Sequence, residues 1–383
     1  MRICVLFALA AGLSATAMCQ EEVIRIPGEV RFASAMMQRM VYYGQPLTLS
    51  QKPPAGVQLP EWVGKGCRFG TIKLGKPVQQ WHFVLHPEAL RAVVDTNRNN
   101  DLTDDVVLVG MTPETYAQTY APVRLTVSLN GTLCSRYFRI QHSGERAYLF
   151  SEDYRVFNGT VAGQPFQMAA VDANADGAFD TPSRTRWDGD RCLLSSVSWE
   201  QDMPIPRLYL VGDRYYRLKV APDGSVCELH PSEITMATVK TNYTHVRLTL
   251  MGKTVGFWEA QTSDGVLQLP ADEYTVSEYS VLVKDAKGVE WDLQVSTRDE
   301  MALKVGGSKE ASLSLPDGLV ASLSFGSRVK RDTLDIALVL QPVGQRFQQV
   351  TALRRGGELP SPPSLRIVDR RGRTVRVEKF HYG

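Results

Sequence analysis

Two runs of oxygen-bearing side chains are the residues whose types and spacing could do chemistry. One is Asp95-Thr96-Asn97-Arg98-Asn99-Asn100-Asp101-Leu102-Thr103-Asp104-Asp105; the other is Asp172-Ala173-Asn174-Ala175-Asp176-Gly177-Ala178-Phe179-Asp180. Aligned without gaps, both place Asp first, Asn third, Asn or Asp fifth, a residue tolerant of left-handed backbone sixth and an apolar residue eighth, as a divergent internal repeat would. A calcium ion takes six to eight oxygen ligands, so a compact site needs carboxylate and amide oxygens on alternate residues of a tightly curled loop. In the second run Asp172, Asn174 and Asp176 supply that alternation, Gly177 permits the sharp turn, and Ala178 offers its carbonyl. Asp180 is expected to close the shell directly or through water, while Phe179 anchors the loop to the core. The alternative is a pair of ordinary Asx turns, since Asp and Asn favour turns for local reasons. Several carboxylates at one tip would then repel one another with no cation between them.

The segment Asp172 to Asp180 is similar to the calcium loops of EF-hands, of dockerins and of the helix-free hairpin sites in integrin α-subunit propellers and thrombospondin type 3 repeats. It departs from a true EF-hand in two ways. A Val-ended run, Ala170-Val171, leads into it, and position twelve is Ser183 instead of Glu. Both departures favour the helix-free version. For the first run the resemblance implies Asp95, Asn97, Asn99 and the carbonyl of Asp101 as ligands, with Asp104 or Asp105 closing. There Asn100 replaces glycine, tolerably, because Asn visits the left-handed region more readily than most residues. Position twelve is Val106, so the bidentate glutamate is again absent.

Other constellations are weaker. No HExxH, GxSxG, P-loop or glycine-rich dinucleotide pattern occurs. His82 and His86 sit in a strand-like run, where a structural role is expected over metal binding. Asp188 and Asp190 follow the second loop and read as an exposed turn, with a ligand role as the second choice. Six tryptophans are expected mainly in the core, though some could stack on sugars. Arg366, Arg370, Arg371, Arg373, Arg376 and Lys379 make a basic C-terminal hairpin, read as a solvated strand face.

The elements that must position the loops are strands. Short alternating runs rich in Val, Leu, Tyr and Thr recur between turn residues: Tyr215 to Val220 and Val226 to Leu229 flank Pro222-Asp223-Gly224. Similar punctuation falls at Ser263-Asp264-Gly265, Lys284 to Gly288 and Arg370-Arg371-Gly372. Helices are expected only at Ser34 to Val41, Pro113 to Tyr120 and Pro231 to Val239. The fold class is therefore all-β, β-dominated with a few short helices: antiparallel hairpin-rich modules with a C-terminal β-sandwich. The expected division is a signal peptide over 1–17, a β-rich unit over 22–150 with the first acidic loop, another over 151–235 with the second, and a sandwich-like domain over 243–383. Leu269-Pro270-Ala271-Asp272-Glu273-Tyr274-Thr275-Val276 resembles the carboxypeptidase-regulatory-like sandwich modules, in which a strand ending in proline leads to a tyrosine-bearing strand.

Residues 1–17 combine a basic start, the apolar run Ile3 to Ala11 and the small residues Ser14-Ala15-Thr16-Ala17, the pattern of a secretory signal. Met18 before Cys19 departs from the small residue a lipoprotein signal requires, so acylation is not favoured. No later segment is long and apolar enough to be a membrane span. A formal charge of +2 argues against a dedicated nucleic-acid partner. Cys67, Cys134, Cys192 and Cys227 could form one or two disulfides or stay as buried thiols. The expectation is a secreted, periplasmic or surface protein, calcium-stabilised and non-catalytic, that serves binding, adhesion or scaffolding toward a surface, glycan or protein ligand. Its general pattern is similar to that of exported bacterial β-rich proteins. The rival is a secreted glycan-active hydrolase using paired carboxylates.

Overall fold

The computed structural model describes residues 22–32, 44–111, 117–183, 188–194, 202–284, 287–306, 310–315, 319–330, 333–344, 349–362, 364–368 and 370–379. They are all-β, with several antiparallel sheets and no helix among them. The expected signal peptide, Cys19 and the helix expected at Ser34 to Val41 lie outside the described residues.

The first loop belongs to a sheet of nine strands that runs from Gln45–Leu47 at one edge to Arg68–Leu74 at the other. A bridge between Ser50 and Phe69 joins the two edges, so the sheet closes in the manner of a barrel. Alternation does the sorting. In Val123–Leu129 every second residue, Val123, Leu125, Val127 and Leu129, is buried, and the residues between them are not. Trp81, Phe83, Ile72, Leu74 and Phe138 fill the interior.

The second loop belongs to an eight-stranded sheet whose edges are Met203–Pro204 and Leu208–Val211. These are parts of one extended stretch: Ile205 N–H donates to the Asp190 carbonyl on one side, and Leu218 N–H donates to the Arg207 carbonyl on the other. This sheet is thus also barrel-like. Its interior holds Ile26, Phe157, Met168, Phe179, Cys192, Cys227 and Leu229. Ile24–Phe32, which the chain order would assign to the first unit, instead pairs with Asp153–Val161 and Val226–Ser232 in this second sheet.

Beyond these, a three-stranded sheet and a seven-stranded sheet enclose one core that includes Val239, Leu267, Leu269, Leu248, Val276 and Val281. Within it the Tyr274 hydroxyl donates to the Pro270 carbonyl at 2.7 Å. Burial pushes that phenol up from its ordinary value.

The expected helices are not found where the chain is described. Pro231 and Ser232 extend Val226–Ser232, and Met236–Thr241 pairs antiparallel with Val266–Pro270. Burial of Ala237 and Val239 on one face explains why period two wins over the helical reading. Of Pro113 to Tyr120, residues 113–116 lie outside the described residues and Gln118–Tyr120 is a strand. Three expected turns close hairpins as read, pairing Val220 with Cys227, Lys284 with Glu290 and Val368 with Thr374. Ser263-Asp264-Gly265 does not. There the chain passes between sheets, from Gly256–Thr262 beside Val246–Gly252 to Val266–Pro270 beside Met236–Thr241. The four cysteines named above are free thiols.

Candidate metal centre

Each acidic loop is the tip of an antiparallel strand pair. The first joins Arg91–Val94 to Leu108–Met111, and the second joins Gln164–Val171 to Arg191–Leu194. Within each tip the same hydrogen bonds recur. Asp95 Oδ1 accepts from Asn99 N at 3.1 Å and Oδ2 from Asn100 N at 3.0 Å. Asp172 Oδ1 accepts from Asp176 N at 3.1 Å and Oδ2 from Gly177 N at 3.0 Å. The third residue repeats the match, with Asn97 and Asn174 each accepting at Oδ1 from the fifth residue's N–H at 3.0 Å. So does the fifth: Asn99 and Asp176 accept from the N–H of Asp101 and Ala178 at 2.7 and 2.9 Å.

The backbone is matched too. Asn100 and Gly177, the sixth residues, have φ of 64° and 91°, as their left-handed tolerance implies. The fourth residues, Arg98 and Ala175, also have positive φ, at 59° and 52°, which no local sequence signal announced. The apolar eighth residues, Leu102 and Phe179, are both buried at 1% exposure and fix the loops to their cores.

The surroundings differ. In the first loop Asp95 is buried while Asn97, Asn99, Asp101 and Asp104 lie toward solvent or at its edge. Asp104 Oδ2 accepts from the amides of Asn97 and Asn99 at 3.2 and 2.9 Å. Asp101 Oδ1 accepts from Thr103, which holds its carboxyl below the usual value. Asp105 Oδ1 accepts from Thr96 N at 3.0 Å, and its Oδ2 is buried with no hydrogen-bond partner. Burial, helped by Asp104 and Asp95, raises the Asp105 carboxyl. Among the described residues none of these four aspartates forms an ion pair.

The second loop is enclosed and carries an internal cation. Arg136, fully buried on Thr132–Ser143 of the first barrel, donates to Asp153 at 2.9 Å, to Asp172 at 3.1 Å and to the Gly177 carbonyl. Arg155 also donates to Asp153, at 2.8 Å, and both guanidiniums lie over the Phe179 ring. Ala175 and Ala178 pack in the first barrel's core, and Gly75 N–H donates to the Asp176 carbonyl at 2.9 Å. Asp180, the expected closing ligand, is instead paired with Lys76 at 2.6 Å. The loop therefore joins the two barrels.

Asp190, expected in an exposed turn, is 1% exposed. Its Oδ2 accepts from Thr181 N at 2.7 Å, and its Oδ1 has no partner. Thr181 Oγ1 in turn donates to Asp176 Oδ2 at 2.6 Å. Burial, with Asp172 and Asp176 near it, pushes the Asp190 carboxyl well above its ordinary value. The Asp172 carboxyl is pushed up to about 7 by burial, with Asp176 and Asp153 adding to it against the pull of Arg136.

Chemically, the donor sets are oxygen only, which suits a hard cation. Among the described residues no three His, Cys, Asp or Glu side chains converge into a ready-made cage. Three of the five expected ligands in the first shell and two of the five in the second are amide or carbonyl oxygens, and Asp95 and Asp172 hold their loops' own N–H groups. The fit to calcium rests on the two orphaned buried oxygens, Asp105 Oδ2 and Asp190 Oδ1. A buried carboxylate oxygen with no donor is costly unless a proton or a cation meets it.

The other candidates do not converge. His82 Nδ1 contacts Thr71 Oγ1, and His86 Nδ1 accepts from Ala89 N. Three surface clefts among the described residues hold about 810, 370 and 490 Å³, and each is lined by at most one carboxylate: none, Asp180 and Asp292. No helix among the described residues is long and apolar enough to cross a membrane. No family model, curated protein or solved structure matches the chain.

Proposed function

We propose that the chain is an exported, calcium-stabilised, non-catalytic β-rich protein that serves binding, adhesion or scaffolding outside the cell or at its surface. The observation that carries the calcium part is the repetition: one hydrogen-bond scheme in two loops, each ending near a buried carboxylate oxygen that no donor meets. Calcium in these loops holds the strand ends together, and in the second loop it strengthens the joint between barrels. Asp95, Asn97, Asn99, the Asp101 carbonyl and Asp104 or Asp105 would hold one ion; Asp172, Asn174, Asp176 and the Ala178 carbonyl would hold the other. Export rests on the signal-like residues 1–17. A screen of immobilised glycans and surface proteins, run in calcium and in chelator, tests the role. Calcium-dependent capture without turnover is expected; cleavage of a glycan by the purified protein would sink the reading in favour of a hydrolase.

A further inference from the structure

Asp105 and Asp190 share features, although their threonine partners stand at different loop positions, second for Thr96 and tenth for Thr181. Each lies at the returning end of its loop, shortly before the strand that pairs with the incoming one. Each gives one carboxylate oxygen to a threonine N–H of its loop, Thr96 or Thr181, and each leaves the other oxygen buried and without a donor. They differ in spacing: Asp105 stands ten positions after Asp95, and Asp190 eighteen after Asp172. An ungapped alignment sets Thr181 and Pro182 opposite Asp104 and Asp105, and Asp180, the expected closing ligand, has its carboxylate on Lys76 at 2.6 Å.

We propose that Asp190, and not Asp180, is the carboxylate that closes a calcium site on the second loop, completing Asp172, Asn174, Asp176 and the Ala178 carbonyl from beyond an insertion. The inference rests on the calcium reading above. Ionisation of all four carboxylates on binding would favour a divalent occupant. Asp153, Asp172, Asp176 and Asp190 are four carboxylates beside two guanidiniums, Arg136 and Arg155, which leaves two negative charges when all are ionised. Asp190 shares Thr181 with Asp176, so the threonine sets the closing carboxylate against the loop. Calcium, which tolerates irregular shells of six to eight oxygens, suits this arrangement better than magnesium with its strict octahedron.

Calorimetric titration of the full chain with calcium chloride decides the matter, using wild type, Asp190→Asn and Asp180→Asn. Asn at 190 keeps an acceptor for Thr181 N while removing the charge; circular dichroism in chelator checks that it folds, and Asp190→Ser replaces it if it does not. The expected result is two sites in wild type and in Asp180→Asn. In the Asp190 variant one site should weaken by about tenfold or more. Two unchanged sites in the Asp190 variant, or loss of a site in Asp180→Asn alone, would overturn the assignment while leaving calcium binding intact. A wild type that binds no calcium would overturn the calcium reading itself.

Discussion

The two acidic loops share a backbone design and differ in what surrounds it. At Asp95 the tip stands at the surface of one barrel, its carboxylates meeting amides, hydroxyls and backbone N–H groups except at Asp105 Oδ2. At Asp172 the tip is wedged between two barrels, with Arg136 of the first barrel reaching Asp153 and Asp172 of the second. The comparison teaches that a local motif fixes its own hydrogen bonds but not its charge balance. Burial made a counter-ion obligatory at the second loop, because a desolvated carboxylate is far costlier than an exposed one. The first loop is more exposed, and among the described residues no arginine or lysine pairs with its aspartates. The second is thereby a structural joint as well as a candidate ion site.

The contrast breaks most readily at Arg136. Replacing it with Met leaves Asp172 buried without its guanidinium and Asp153 with Arg155 alone, and removing one partner of a buried ion pair costs about 3–5 kcal/mol. Urea unfolding should show that loss for Arg136→Met. At the first loop, Arg98→Met removes only an exposed contact to Gln79 and a position over Trp81, so its change should stay within about 1 kcal/mol. Equal losses would erase the distinction between the loops.

Acidity sharpens the same comparison. The folded Asp172 carboxyl is raised to about 7, so between its ordinary value of 3.8 and that point the folded state keeps a proton the unfolded chain has released. Stability in chelator should therefore fall as pH rises through this window, by roughly a few kcal/mol at most. Asp190 is shifted in the same direction. Calcium competes with these protons, so its stabilising effect should be largest at the top of the window. Urea midpoints from pH 4.5 to 7.5, with and without calcium, test this; a midpoint in chelator that rises steadily with pH would contradict it.

A smaller contrast lies in the sixth residues. Gly177 has φ of 91°, and a Cβ there would meet Val127 Cγ1 at 3.2 Å and Leu74 Cβ at 3.4 Å. Gly177→Ala should cost about 1–3 kcal/mol. Asn100→Gly, at φ of 64° in the open loop, should be near neutral, within about 0.5 kcal/mol. Thermal melts of both variants report the difference, and a costly Asn100→Gly would show the first loop to be as constrained as the second.

What the sequence disclosed follows the range of the interactions. Oxygen spacing, the left-handed sixth residue and the anchoring eighth are local, and Asp95 to Leu102 and Asp172 to Phe179 carry them openly. The all-β fold was equally legible from alternation in runs such as Val123–Leu129. Arg136 was not, because a lone arginine on a strand looks solvated until Asp153 and Asp172, distant in sequence, fold over it. Asp190 was hidden by the longer connection before it, which defeats an ungapped alignment. The helix expected at Pro231 to Val239 failed for a related reason: its capping-like start is local, while the pairing of Met236–Thr241 with Val266–Pro270 is not.

The most direct test of the central claim, that calcium occupies both loops, is thermal melting of the purified protein in chelator, in magnesium and in calcium. Extracellular calcium modules bind at about 10⁻⁴–10⁻³ M, so ~2 mM calcium should add about 0.7–1.8 kcal/mol per site and raise the midpoint by a few degrees. Magnesium should do much less. The variant carrying Asp172→Ala and Asp176→Ala should lose the second loop's share of the shift and keep that of the first. Identical melting in all three solutions, with no heat of calcium binding by calorimetry, would mean that both loops are ordinary turns.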